Sequence, residues 1–221
     1  MKLSKEQAAR NRQHIVEVAG RLFRERGVDG VGVADLMKAA GFTHGGFYNH
    51  FPSKEALAAE ACSSAFGKSV AAVQSALSAD KDGPAAALSH YFNRYLSKSH
   101  RDDTGRGCPT ASLAADAARQ GEQVQAVFAE GLEAVLATFS AQLARTPPAG
   151  EPHSPASLRV HSLVLLSEIV GALVLARAVS AADPALSEEI LQASRKRLCA
   201  LKRAPLRAVA RRRTPRQRVS A

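Results

Sequence analysis

The stretch that most limits what this chain can fold into is VADLMKAAGFTHGGFYNHFPSKE, residues 33–55. Val33, Leu36, Met37 and Ala40 fall at i, i+3, i+4 and i+7, one face of a short helix over Val33 to Ala40. Gly41 supplies the backbone freedom of a sharp turn. Thr43 stands where its hydroxyl can cap a second helix, roughly His44 to Phe51. That helix is too short and too rich in glycine to be stable alone. Phe47 and Phe51, four apart, can pin its inner side to a core. Pro52 ends it, and Ser53 opens a further helix as a capping residue. A weak helix held by its neighbours, presenting a small and closely approachable face, suits insertion into a DNA major groove.

The flanking sequence is helical throughout. A helix over 4–26 begins at Ser4, buries Ile15, Val18, Ala19, Leu22 and Phe23, and closes at Gly27, so residues 4–51 form a three-helix unit. Phe66, Val70, Val73 and Leu77 mark a long helix over about 54–79. Leu88, Tyr91, Phe92 and Tyr95 mark another from Pro84 to about His100. Residues 101–109, RDDTGRGCP, read as a loop, and 110–119 as a short alanine-rich helix. Val124, Val127, Phe128, Leu132, Val135, Phe139 and Leu143 give a strong stripe over 122–144. The proline-rich 145–157 is a flexible connection. Helices over about 156–180 and 185–203 follow, the second with Leu186, Ile190, Ser194, Leu198 and Leu201 inward. The expectation is an all-α chain of about nine helices, a small N-terminal domain followed by a larger one.

Charge divides the chain. Residues 1–54 carry 9 Lys and Arg against 5 Asp and Glu, a net +4. Residues 55–194 carry 10 against 15, a net −5, and 195–221 carry 11 against none. The overall +10 therefore belongs mostly to the tail, and the mildly basic N-terminal section holds the charge that phosphate affinity needs near a reading element. Cys62, Cys108 and Cys199 are odd in number and widely separated, which points to a reducing compartment, with cytoplasmic placement expected. Residues 160–179 are apolar enough to suggest a membrane span, but His161, Glu168 and Arg177 make spanning costly, and a buried or interface helix is expected. The histidines form no metal-ligand spacing, and no nucleophile-elbow or phosphate-loop string occurs, so neither an enzyme nor a metal or cofactor protein is expected.

The helix before residue 27 and the string VGVADLMKAAGFTHGGFYNHFPSKEALAAEA together resemble the DNA-binding domain of TetR-type transcriptional regulators. The likeness covers roughly residues 9–69, with the helix-turn-helix motif at about 32–51. It implies an effector-binding and dimerisation domain over 70–203, leaving 204–221 as a basic, disordered tail. It also implies that Thr43 caps the recognition helix and donates to a phosphate. Tyr48 and Lys54 would then contact the DNA backbone, and His44, Gly45, Gly46, Asn49 and His50 would complete the reading face. Gly32 and Gly46 depart from the hydroxylated residues frequent in relatives and remove contacts expected there.

The resemblance further implies a homodimer on the last two long helices, a double-stranded operator with palindromic symmetry, and a small-molecule effector held among the helices after residue 54. The sequence supports the dimer independently. Leu163 to Leu175 is apolar nearly all round and needs cover on several sides. Tyr91, Phe92, Tyr95, Phe128 and Phe139 are candidate pocket lining or plain core, and Glu168 pairs across the interface or lines the cavity. Cys108 sits before a helix start with Arg101 and Arg106 close in sequence, the setting of a reactive thiolate. The expected function is a ligand-responsive repressor released by a small molecule or a thiol-modifying electrophile. The alternative is an all-α architectural protein that binds nucleic acid through its basic tail without sequence choice.

Overall fold

The computed structural model describes residues 4–78, 82–145 and 154–200. The 145–157 connection lies mostly, and the 204–221 tail wholly, outside the described residues. Ten helical segments and no strand occur among them: α1 (Lys5–Arg26), α2 (Val33–Ala39), a 3-10 helix η1 (His44–Asn49), α3 (Lys54–Ser78), α4 (Pro84–Tyr95), α5 (Lys98–Asp102), α6 (Pro109–Ala117), α7 (Glu122–Ala144), α8 (Pro155–Val179) and α9 (Pro184–Ala200). The all-α expectation holds.

The helix ends follow local chemistry. Ser4 Oγ accepts from Gln7 N–H at 3.1 Å and Ser53 Oγ from Ala56 N–H at 3.0 Å, caps worth about 1 kcal/mol each. Gly27 ends α1 at φ 76°, a conformation that L side chains rarely adopt. The single helix expected from Pro84 to His100 is instead two. Leu96 breaks it, and Ser97 caps α5 by accepting from His100 N–H at 3.2 Å. Part of the stretch read as loop is therefore the end of α5.

Packing joins the two halves of the chain. α3 lies against α1 on one side and α7 on the other, and it runs unbroken through residues 69 and 70, as the long helix expected over about 54–79 requires. Gly131 of α7 meets the buried Phe66 ring of α3, which stands edge-on to Phe128 with centroids 5.2 Å apart. α8 packs on α7 and α9, with Ser140 and Ser162 hydroxyls bonded at 2.8 Å between α7 and α8. By length and composition α7 and α8 could each cross a membrane; here α7 fills the space between α3 and α8. One inward expectation fails: Leu186, assigned to the inner stripe of α9, is 41% exposed, and Leu191 takes the core position.

Candidate nucleic-acid interface and effector region

α1, α2 and η1 build one small face. Leu36, Met37, Phe47, Phe51 and Leu57 are buried, as their spacing predicted. Phe47 and Phe51 lie 5.7 Å apart and anchor η1 from below. The second helix of the motif is a 3-10 turn rather than an α-helix. Two consecutive glycines and six residues leave too few i→i−4 bonds to hold the wider form. Thr43 occupies the N-cap position without a side-chain cap bond; its carbonyl accepts from Gly46 N–H at 3.0 Å. The capping role assigned to its hydroxyl is therefore corrected, and the hydroxyl is left at an exposed position. Gly32 likewise caps α2 through backbone conformation alone.

Thr43, His44, Gly45, Tyr48 and Asn49 share the exposed side of this element, Tyr48 at 67%. Lys54 stands half-exposed at the start of α3. Gly46 departs from the expected arrangement: it is half-buried, and a Cβ there would sit 3.8 Å from Met37 Cε. His50 is also half-buried, its ring 6.3 Å from both Phe42 and Phe51. Sequence reasoning missed Arg12. Its guanidinium lies 4.6 Å from the Phe51 centroid, donates to His50 O at 3.4 Å, and pairs with Glu60 of α3. It holds the exit of η1 between α1 and α3, and its i, i+3 distance from Ile15 was the only signal in the sequence.

The candidate effector residues separate into two groups. Tyr91, Phe92, Tyr95 and Phe139 form one buried cluster, Tyr91 lying 5.6 Å from Phe139 and 5.7 Å from Tyr95. Phe128 lies elsewhere, in the α3–α7 contact. Burial pushes the Tyr91 and Tyr95 phenols well up, with Cys108 adding to both. The Tyr95 hydroxyl is buried without an ordinary hydrogen-bond partner and lies against the Cys108 thiol. Glu168 is bound within its own chain, its carboxylate held by Arg197 of α9 at 2.7 and 2.5 Å.

The cations beside Cys108 are not those expected. Arg101 is turned to Asp102 and Ser187, and Arg106 to Asp103. Arg24 of α1 and Arg177 of α8 are the arginines whose charge reaches Cys108, and burial lowers the pKa of both. They stand 84 and 69 positions away in sequence, where proximity along the chain gives no hint. His100 joins the group: its Nδ1–H donates to Tyr95 O at 2.6 Å, and its Nε2 accepts from Cys108 N–H at 3.2 Å. That fixes the neutral tautomer, and burial first, then Arg177 and Arg94, holds the ring pKa below the usual 6.5. Cys62 is different in kind. It lines a cavity of about 10 Å³ between α1, α3, α6 and α7, room for one water at most, and burial pushes its thiol up to about 11.

The family model for bacterial regulatory proteins of the tetR family matches residues 15–61, from the middle of α1 into α3. Over that stretch the chain is similar to the TetR family. The repressor DhaR of Mycobacterium sp. (strain GP1) is 38% identical over 81 residues, 37% of this chain and 41% of that protein. The repressor NemR of Escherichia coli (strain K12) is 25% identical over 132 residues, 60% of this chain and 66% of its own. The chain thus spans less than two thirds of either relative. In fold it is similar to the crystal structure of reduced E. coli NemR, with a TM-score of 0.71 at 23% identity over 85% of this chain and 94% of that one. A TetR-family regulator from Cytophaga hutchinsonii gives 0.71 at 20% identity, over 90% and 97%. The TetR family is one of transcription regulators rather than enzymes.

Proposed function

We propose that this protein is a DNA-binding transcriptional repressor that works as a homodimer on a palindromic operator. The observation that carries the reading is η1: a short turn pinned from below by Phe47 and Phe51, with Thr43, His44, Tyr48 and Asn49 outward. In this reading Thr43, Tyr48 and Lys54 hold phosphates, and Asn49 and His44 read base edges, with Gly45 allowing close approach. Gly46 and His50 serve the shape of the turn. The printed names of DhaR and NemR, both repressors, support repression over activation.

The dimer is supported by α8, whose outward side carries Val160, Leu163, Val164, Val174 and Leu175. Ser167 and Gly171 lie between the two apolar ends, and a Cβ at Gly171 meets nothing within 4 Å, so a second α8 can cross closely there. A two-fold pair would set the reading turns about one DNA turn, roughly 34–36 Å, apart. Release follows from a small molecule in the Tyr91–Tyr95 region or from modification of Cys108, each acting by preferring one arrangement of the dimer. A cytoplasmic location accords with this role.

Selection of a DNA site from a random duplex pool by the purified protein tests the reading. One palindrome with a bounded footprint is expected. Uniform binding lost on truncation after residue 202 would instead favour the tail-driven architectural alternative. On the selected site Lys54→Ala should reduce the salt slope by about one phosphate, and Tyr48→Phe should weaken binding severalfold. Intact binding by both variants would remove these contact assignments.

A further inference from the structure

Two arginines from opposite ends of the fold grip one short loop. From α1, Arg24 donates to Gly105 O through Nε at 2.9 Å and Nη2 at 2.5 Å. The loop lies flat on α1 at this point, because a Cβ at Gly105 would fall 3.0 Å from both Arg21 Cγ and Glu25 Cδ. From α8, Arg177 donates to Arg101 O at 2.9 Å, His100 O at 3.0 Å and Ser112 Oγ at 3.1 Å, tying the end of α5 to the start of α6. The loop is equally close here: a Cβ at Gly107 would sit 2.9 Å from both Arg177 Nη2 and Asp103 O. Only Arg106 separates the two glycines, and its side chain is turned out to Asp103.

We propose that the Asp103–Cys108 loop is a mechanical coupler between α8 and the DNA-reading domain. Arg177 bonds residues 100, 101 and 112 on both flanks of the loop and lies against Gly107, which is at most roughly 7 Å along the chain from the Gly105 carbonyl that Arg24 holds, so the loop has little slack between the two arginines. A shift of α8 of about 1–2 Å, the size usual for helix movements at interfaces, must break a guanidinium contact or carry α1 with it. Movement of α1 reaches η1 through Arg12, which holds His50 O and the Phe51 ring. The consequence for DNA rests on the regulator reading above; the coupling itself does not.

Hydrogen exchange on the full-length protein tests the coupling. Arg177→Met keeps the apolar stem and removes the guanidinium. It should raise exchange tenfold or more at residues 100–112 and also at 22–27 of α1, which Arg177 does not bond. Arg24→Met should do the same from the other side, and Arg159→Met, elsewhere on α8, should leave α1 unchanged. Loss of protection that stays at 100–112 in Arg177→Met overturns the proposal. Should that variant lose protection everywhere, Arg177→Lys takes its place, under the same criterion.

The DNA arm uses the duplex selected by the wild type. Arg177→Met should change its Kd at least fivefold, and in an Arg24→Met background it should change Kd less than twofold. Effects that simply multiply would overturn the coupling. If no duplex is selected, the regulator reading fails while the exchange result still decides the coupler.

Discussion

Gly67 of α3 and Gly131 of α7 are both interior helix positions, yet alanine should act on them in opposite directions. By propensity alone, alanine is favoured over glycine by about 1 kcal/mol at either site. At Gly67 a Cβ would meet nothing within 4 Å, so that gain stands. At Gly131 it would lie within 2.6 Å of Cγ and both Cδ atoms of Phe66. Ordinary contact begins at 3.4 Å, so ring or helix must retreat by about 1 Å in a packed core. The clash is at the root of a buried ring wedged edge-on against Phe128, where the tip cannot swing aside. Overpacking costs about 1–3 kcal/mol, and the upper half of that range applies, leaving a net loss of about 1–2 kcal/mol after the helix gain. For a chain of this size each kcal/mol moves Tm by about 2–4 °C. Thermal unfolding followed by circular dichroism should show Gly131→Ala about 2–8 °C below wild type and Gly67→Ala about 2–4 °C above it. Equal stabilisation by both substitutions would refute the packing argument. Partial recovery in Gly131→Ala/Phe66→Leu, relative to the sum of the singles, would locate the strain in that pair.

Four further outcomes follow from the same structure. Leu175→Asp, at a position 59% exposed on α8, should raise the dimer dissociation constant by more than about 10³-fold, since two unpaired carboxylates become buried across the two-fold; dimers persisting at micromolar concentration in sedimentation velocity would move the interface elsewhere. His100 has a folded pKa below its unfolded 6.5, so the unfolded chain takes up the proton first and stability falls as pH drops below 6.5 until the folded value is passed; Tm measured from pH 7 to pH 5 should fall less in His100→Gln. Iodoacetamide at pH 8 should leave Cys62 unmodified while the fold holds, because its thiol is pushed up to about 11 and closed in by α1 and α3. In the same samples an electrophile should lower DNA binding in wild type but not in Cys108→Ser, and an unchanged response in both would remove the thiol route.

What could be read in advance follows the range of the interaction. The core of the reading domain was legible because Leu36, Met37, Phe47 and Phe51 recur at helical spacing and nothing distant competes for them. The exposed side of the motif was legible at His44, Tyr48 and Asn49, which lie opposite those anchors. Gly46 and His50, read as part of the same outward face, are instead half-buried; in a 3-10 turn a residue three positions from Phe47 falls on its side, which turns His50 toward the core. The helix read as running from Pro84 to His100 broke at Leu96, because a serine cap and the distant Arg177 stabilise two pieces where periodicity favoured one.

Residues 33–55 by themselves determined that the chain carries a helix-turn-helix reader, since turn glycines, a capping serine and paired phenylalanines are local devices that act within a few residues. Periodicity determined an all-α body for the same reason. Only the tertiary structure decided which charges surround Cys108, that Glu168 is satisfied within its own chain, and that α1 and α8 grip one loop. Those facts depend on contacts spanning 29 to 84 residues. No spacing rule reaches that far, because the packing of several helices together sets which distant side chains meet.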